Sequence, residues 1–182
     1  MLNAFWWLIT TYAIGLVAFP FVYLLLPRLR DRGYSISKPF GILLLGYLSW
    51  ILSSAHIVPN VRIGIVGLLI VLGSISVWVF WRRRSEILDF AKREWALILV
   101  TELIFLALFI GWTVYRAFDP SINHTEQPMD FMFLNASVRT VWAPPADPWL
   151  SGHSVSYYYF GFWLMGGITK LTGIQTSIAY NL

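Results

Sequence analysis

The chain has 182 residues, of which 58% are hydrophobic and only 12% charged, with a formal net charge of +4. A soluble globular domain carries about twice that share of charge, so the composition excludes one and reads as an integral membrane protein. The small positive balance requires no nucleic-acid partner, and the absence of cysteine excludes disulfides, thiolate chemistry and cysteine-based metal sites.

Apolar runs set the predicted elements in chain order. The first covers roughly Leu2 to Leu26, the second Phe40 to Val58, the third Ile63 to Trp81 and the fourth Trp95 to Tyr115. Each is long enough, or nearly so, to cross a hydrocarbon core of about 30 Å. A weaker fifth run, about Val155 to Ile174, contains Lys170 and several glycines. Backbone groups must be satisfied inside lipid, so these runs are helices. The fold class is therefore all-α: a polytopic transmembrane helical protein with about five spans. Three regions follow: residues 1–115 with four spans and two basic loops, 116–156 as a polar loop, and 157–182 with the fifth span.

Basic residues orient the chain. Arg28, Arg30, Arg32 and Lys38 follow the first run, and Arg82, Arg83, Arg84, Lys92 and Arg93 follow the third. The positive-inside rule puts both loops in the cytoplasm, so the protein is expected to be multi-pass in the cell membrane with its N-terminus outside. The first run lacks a basic leader and a cleavage site, and reads as a retained reverse anchor. The stretch "WRRRSEILDFAKREW" reads as a mixed-charge interfacial helix, with an anionic-lipid site as the sharper alternative. Gly64, Gly67 and Gly73, then Gly161, Gly166 and Gly167, suit close helix contacts. Glu102 lies inside the fourth run, where it is either functional or a paired carboxyl that fixes helix packing.

The polar segment after the fourth run is extracytoplasmic on this reading. Thr125 can cap a short helix that tolerates Pro128 in its first turn and ends near Val138 or Thr140. Phe131, Met132, Phe133 and Leu134 make it apolar enough to lie on the membrane surface or pack on neighbouring spans. Glu126 and Asp130, four apart, project from one face at its start, where the helix dipole favours their ionised forms. Such a pair can bind a divalent cation or supply a general base, or can merely complement the dipole and face water. Arg116 and Arg139 can grip a phosphate or pair with an acid. Asp147 before Pro148 reads as a turn acid. His153 is a base, a ligand or a plain loop residue, and His124 stands close enough in sequence to join Glu126. If Tyr157, Tyr158 and Tyr159 are helical, they point about 100° apart and cannot all line one site.

The ordered motifs "FDPSINHTEQPMDFMFLN", "PPADPWLSG", "YYYFG", "KLTG" and "AYNL" resemble those of the YYY-motif membrane proteins (Chlor_Arch_YYY), a polytopic family of undefined function. Members are longer than this chain, which resembles their N-terminal portion. The family is similar, more distantly, to GT-C membrane glycosyltransferases, which take sugars from polyprenyl-phosphate donors and carry an acidic motif in an extracytoplasmic loop. That resemblance implies Glu126 and Asp130 as catalytic acids, one as the base and the other positioning an acceptor or a divalent metal. It implies Arg116, Arg139, His153, Tyr158 and Tyr159 as substrate-binding residues. GT-C enzymes place this loop after their first span, whereas here it follows the fourth. The other readings are a transporter or lipid-handling protein that uses Glu102, and a non-catalytic subunit that docks a partner through its aromatic segment. The lipid bilayer is the expected partner on every reading; the sequence fixes no oligomeric state.

Overall fold

A computed structural model describes residues 2–182. Seven α-helices follow in order: α1 (Leu2–Leu25), α2 (Ser37–Ser54), α3 (Arg62–Arg93), α4 (Trp95–Phe118), α5 (Gln127–Arg139), α6 (Phe160–Thr172) and α7 (Thr176–Ala179). No strand forms among the described residues, and the chain is an all-α membrane protein. Helices α1 to α4 are long and apolar enough to cross a bilayer. The link from α1 to α2 and the residues on either side of the α3 break and the α3–α4 junction carry seven of the ten arginines and form the basic end; the opposite one is the far end.

The fifth apolar run departs from its expected role. It folds as α6, thirteen residues long, which at 1.5 Å per residue is about 20 Å and too short to span. Its course explains the length. Near its start the Tyr159 hydroxyl accepts a 2.8 Å bond from Trp50 Nε1, and Trp163 Nε1 donates to Ser49 Oγ at 2.9 Å. Near its end Lys170 donates to the Asn60 carbonyl, in the link between α2 and α3. Both ends of α6 thus meet far-end residues, and the helix lies across α1, α2 and α3 instead of running alongside them. Gly173, at φ 72°, stops it in the left-handed conformation that a side chain resists.

One core unites these elements: Trp7 and Ile14 of α1, Leu45 of α2, Ile65 and Leu72 of α3, Ile168 of α6, with Ile174 and Ala179 beyond. Of the expected glycines, Gly166 faces Ser137 and Val138 of α5, each 3.5 Å from where its Cβ would stand, and Gly73 likewise approaches Val17 of α1 at 3.9 Å, but the tightest helix contacts fall at other glycines. A Cβ on Gly41 would sit 2.8 Å from the Ile14 carbonyl oxygen, and one on Gly46 would strike Leu164 of α6. Gly67, Gly161 and Gly167 have nothing within 4 Å. Helix α3 passes the membrane boundary unbroken except at Arg83, where φ −117° and ψ 18° leave the helical region. The segment beyond the break packs Ile87 and Phe90 under Tyr23, at the basic end of α1.

Helix α4 stands apart. Of its residues only Arg116 is buried. It is held midway by Glu102, whose Oε1 receives Lys38 Nζ at 2.6 Å while Oε2 accepts the Tyr12 hydroxyl. Lys38 therefore belongs to the interior and not to the solvated basic loop; its residue is 6% exposed. Glu102 is thus paired, as the second of the two readings above expects.

Candidate functional site

Helix α5 begins one residue later than the Thr125 cap predicts. Thr125 takes φ 42° and closes a turn, Glu126 occupies the cap position, and Pro128 falls in the first turn. Pro128 has no N–H to offer, which costs nothing there. The Asp130 N–H donates to the Glu126 carbonyl at 3.0 Å. Both acids thus stand at the positive end of α5, Glu126 exposed and Asp130 half-buried. The dipole does not win at Asp130. Burial, then the charge of Glu126, pushes its pKa above the ordinary range, and Tyr180 beside it works in the opposite direction.

The three tyrosines precede α6, so the helical premise does not apply to them. They still divide. Tyr157 and Tyr158 lie together, ring centroids 4.1 Å apart, both against Phe133 of α5 at 5.8 and 6.0 Å. Trp149 and Phe162 complete the aromatic wall on Phe133. Tyr159 turns inward to Trp50. Burial raises the pKa of Tyr158, with further contributions from Tyr157, Asp130 and Glu126, which puts its hydroxyl in the field of the acid pair.

Arg116 closes the other side. It lies in the last turn of α4 and is 8% exposed. Its Nε donates to Asn181 Oδ1 at 2.8 Å, and its Nη2 to the same oxygen and to the Ser121 carbonyl. Among the described residues no carboxylate lies within ion-pair distance of it. The nearby acid, Asp119, instead binds His124 Nε2 at 2.9 Å, which holds its carboxyl below the usual range and takes His124 away from Glu126. Arg116 opens onto a cavity of about 420 Å³ between α1, α4 and α7, lined also by Asn3, Thr113, Ser177 and Asn181. The Thr113 hydroxyl is buried and has no hydrogen-bond partner among the described residues. Tyr180 connects the two halves: it faces Asp130, feels the charge of Arg116, and sets its ring 5.9 Å from Phe131 of α5.

Other expected residues lie elsewhere. Arg139 ends α5, a helix length from Asp130, and lines a separate groove of about 610 Å³ with Trp142 and Asp147. His153 is exposed in a small hairpin; its carbonyl receives the Asp147 N–H at 2.8 Å. Asp147 is a turn acid, taking the N–H groups of Trp149 and Leu150 on Oδ1 at 2.8 and 3.1 Å. The spacing reading overlooks Tyr180 and Asn181. Their one signal is the closing "AYNL" motif, because nothing in local periodicity links them to residues 50 to 65 positions earlier.

A divalent cation is the one cofactor the acids suggest. Glu126 and Asp130 offer two carboxylates, and no group of three or more His, Cys, Asp or Glu side chains gathers among the described residues. That donor set fits a magnesium-like ion completed by water and phosphate oxygens, and does not fit an all-protein cage.

Comparison with known proteins adds one relationship. No curated protein and no solved structure matches the chain. A family model does match, over residues 44–182, a range that includes Arg116, the acid pair, the tyrosines and the "AYNL" end. The chain belongs to that family, described as Uncharacterized membrane protein (DUF2298).

Proposed function

We propose that the far end of this integral membrane protein is the site of a GT-C-like glycosyltransferase that takes its sugar from a polyprenyl-phosphate donor. The single observation that carries the reading is Arg116: a buried guanidinium with no carboxylate partner, facing a cavity beside a raised-pKa carboxylate. A guanidinium cannot shed its proton, so its charge must be balanced by something brought to it. A phosphate matches its fork. The resemblance to YYY-motif proteins and the orientation with the basic end in the cytoplasm both support this reading; the acids then face outward, where lipid-linked sugars are used.

In the reaction, Asp130 accepts the proton of the acceptor hydroxyl as that oxygen bonds to the sugar's anomeric carbon. The bond from that carbon to the phosphate oxygen breaks, and the electron pair leaves on the polyprenyl phosphate. Arg116 stabilises the charge that gathers there. Glu126 orients the acceptor or helps hold a divalent cation, which would neutralise phosphate charge when bound. Tyr158 borders the sugar. A pKa raised toward working pH makes Asp130 a better base than an ordinary carboxylate. The test uses purified full-length protein and labelled polyprenyl-phosphate sugars. Transfer is expected in the wild type and lost in Asp130→Asn with Glu126→Gln. Transfer that survives the double substitution sinks the assignment.

A further inference from the structure

At the opposite end of the bundle, the geometry points to a binding site for an anionic phospholipid in the notch where α3 breaks. Helix α3 is regular until Arg83, the one residue in it with non-helical angles. The break separates the post-break segment from the spanning part and leaves a cavity of about 520 Å³, lined by Leu24 of α1 and Trp78, Val79, Arg82 and Arg83 of α3. These residues mark the level at which the apolar run of α3 gives way to charge.

The charges around the notch are not equally available. Glu94 takes both Arg30 and Arg93, at 3.1 and 3.2 Å, and Glu86 takes Arg83 at 2.8 Å. Among the described residues Arg82 has no carboxylate within ion-pair distance. Its guanidinium lies over the Trp78 ring, 5.4 Å from the centroid, and Arg84 lies likewise over Trp81 at 5.8 Å. A ring face holds a guanidinium flat and takes none of its N–H donors, which leaves the fork free for phosphate oxygens. Trp78 and Trp81 are 59% and 63% exposed, so both face the surroundings of the bundle.

The lining decides between a lipid and free phosphate. Arginines alone serve either. Leu24, Val79 and Trp78 give the notch an apolar wall beside its arginines, and a phosphate that carries acyl chains matches both parts where free phosphate matches one. The post-break segment is held against α1 through Ile87, Phe90 and Tyr23, so the notch is built into the fold and does not depend on the lipid.

Native mass spectrometry of the whole detergent-solubilised protein tests this. It would be titrated separately with phosphatidylglycerol, phosphatidylcholine and inorganic phosphate. Phosphatidylglycerol is expected to stay bound where phosphatidylcholine does not, and inorganic phosphate should not displace it. Arg82→Gln with Arg83→Gln should weaken retention about tenfold, since each interfacial cation adds a modest attraction and Arg83 is shared with Glu86. Arg62→Gln removes one positive charge at the other end of α3 and should leave retention unchanged. Equal retention of the two lipids, displacement by phosphate, an unaffected double variant, or an equal loss in Arg62→Gln would each overturn the lipid site. Melting curves for all variants separate loss of binding from loss of fold.

Discussion

Glu102→Leu should cost this protein about 3 kcal/mol, and adding Lys38→Met should restore most of it. The pair sits where a lone charge is least tolerated, with side chains 8% and 16% exposed and a 2.6 Å contact. Removing the carboxylate leaves an ammonium in the bundle. Part of its stabilisation survives, because Lys38 Nζ also lies 4.6 and 4.7 Å from the ring centroids of Tyr12 and Phe105. That support, about 1 kcal/mol, keeps the loss toward the low end for broken buried pairs. Replacing both partners with apolar side chains removes two desolvation costs together, so the double variant should fall within about 1 kcal/mol of wild type. Adding Lys38→Met should thus recover about 2 kcal/mol of the Glu102→Leu loss, and the coupling energy follows once the Lys38→Met single variant is measured beside them. Unfolding in mixed micelles would measure it, and hydrogen exchange would locate the opening in α4, which has few other attachments. A Glu102→Leu cost under about 0.5 kcal/mol, or strict additivity of the two changes, refutes the reasoning. Rescue by Lys38→Met would also separate a structural carboxyl from a transporting one, since a flux defect has no cause to be repaired by removing the partner.

Three further outcomes follow from the geometry. Burial pulls the Lys170 pKa down from its ordinary 10.5 to about 8; between those values the unfolded chain binds the extra proton, so stability should rise with pH across that window and not below it. The gain is about 1–2 kcal/mol after discounting for partial exposure, and Lys170→Met should flatten it in melts at pH 7.5 and 10. Gly41→Ala should cost about 1–3 kcal/mol in the same melts, because its Cβ meets the Ile14 backbone at 2.8 Å, whereas Gly67→Ala, with nothing within 4 Å, should cost nothing. The acid limb of a transfer-rate profile should move down in pH on Glu126→Gln, which removes the like charge raising Asp130, and up on Tyr180→Phe, which removes the opposing contact; movement in the same direction would exclude Asp130 as the titrating group.

The four long helices were legible because composition and length suffice to place a span; their observed ends differ from the apolar runs by at most four residues, except that α3 continues twelve residues past Trp81, through its break at Arg83, to Arg93. The start of α5 was legible to within one residue from Thr125, Pro128 and the acids on either side of that proline. Helix α6 was not, since its hydropathy resembles that of a span and only its contacts with Ser49, Trp50 and Asn60 turn it across the bundle. Lys38 read as a loop cation because it opens a helix beside arginines. Its partner lies 64 residues away, beyond any periodic signal. The acid pair was visible as spacing, whereas its surroundings were not: the direction of the Asp130 shift depends on burial, Glu126 and Tyr180 together.

The treatment of buried cations gives the far end its meaning. The fold neutralises Lys38 with a carboxylate. It gives Lys170 the carbonyls of Asn60 and Thr140 at the closing end of α5, where the helix dipole is negative. Lys170 can also lose its proton, and burial already moves it that way. Arg116 has neither remedy. Its amide and carbonyl partners are dipoles, its proton stays, and the acid within reach of its field is bound to His124. A permanent charge balanced only by dipoles and open to a cavity carries a desolvation cost that an incoming anion removes. The same two residues of the closing motif that hold Arg116 and face Asp130 tie the proposed anion site to the acid pair, so on that proposal a phosphate bound at one would bring its ester bond toward the other.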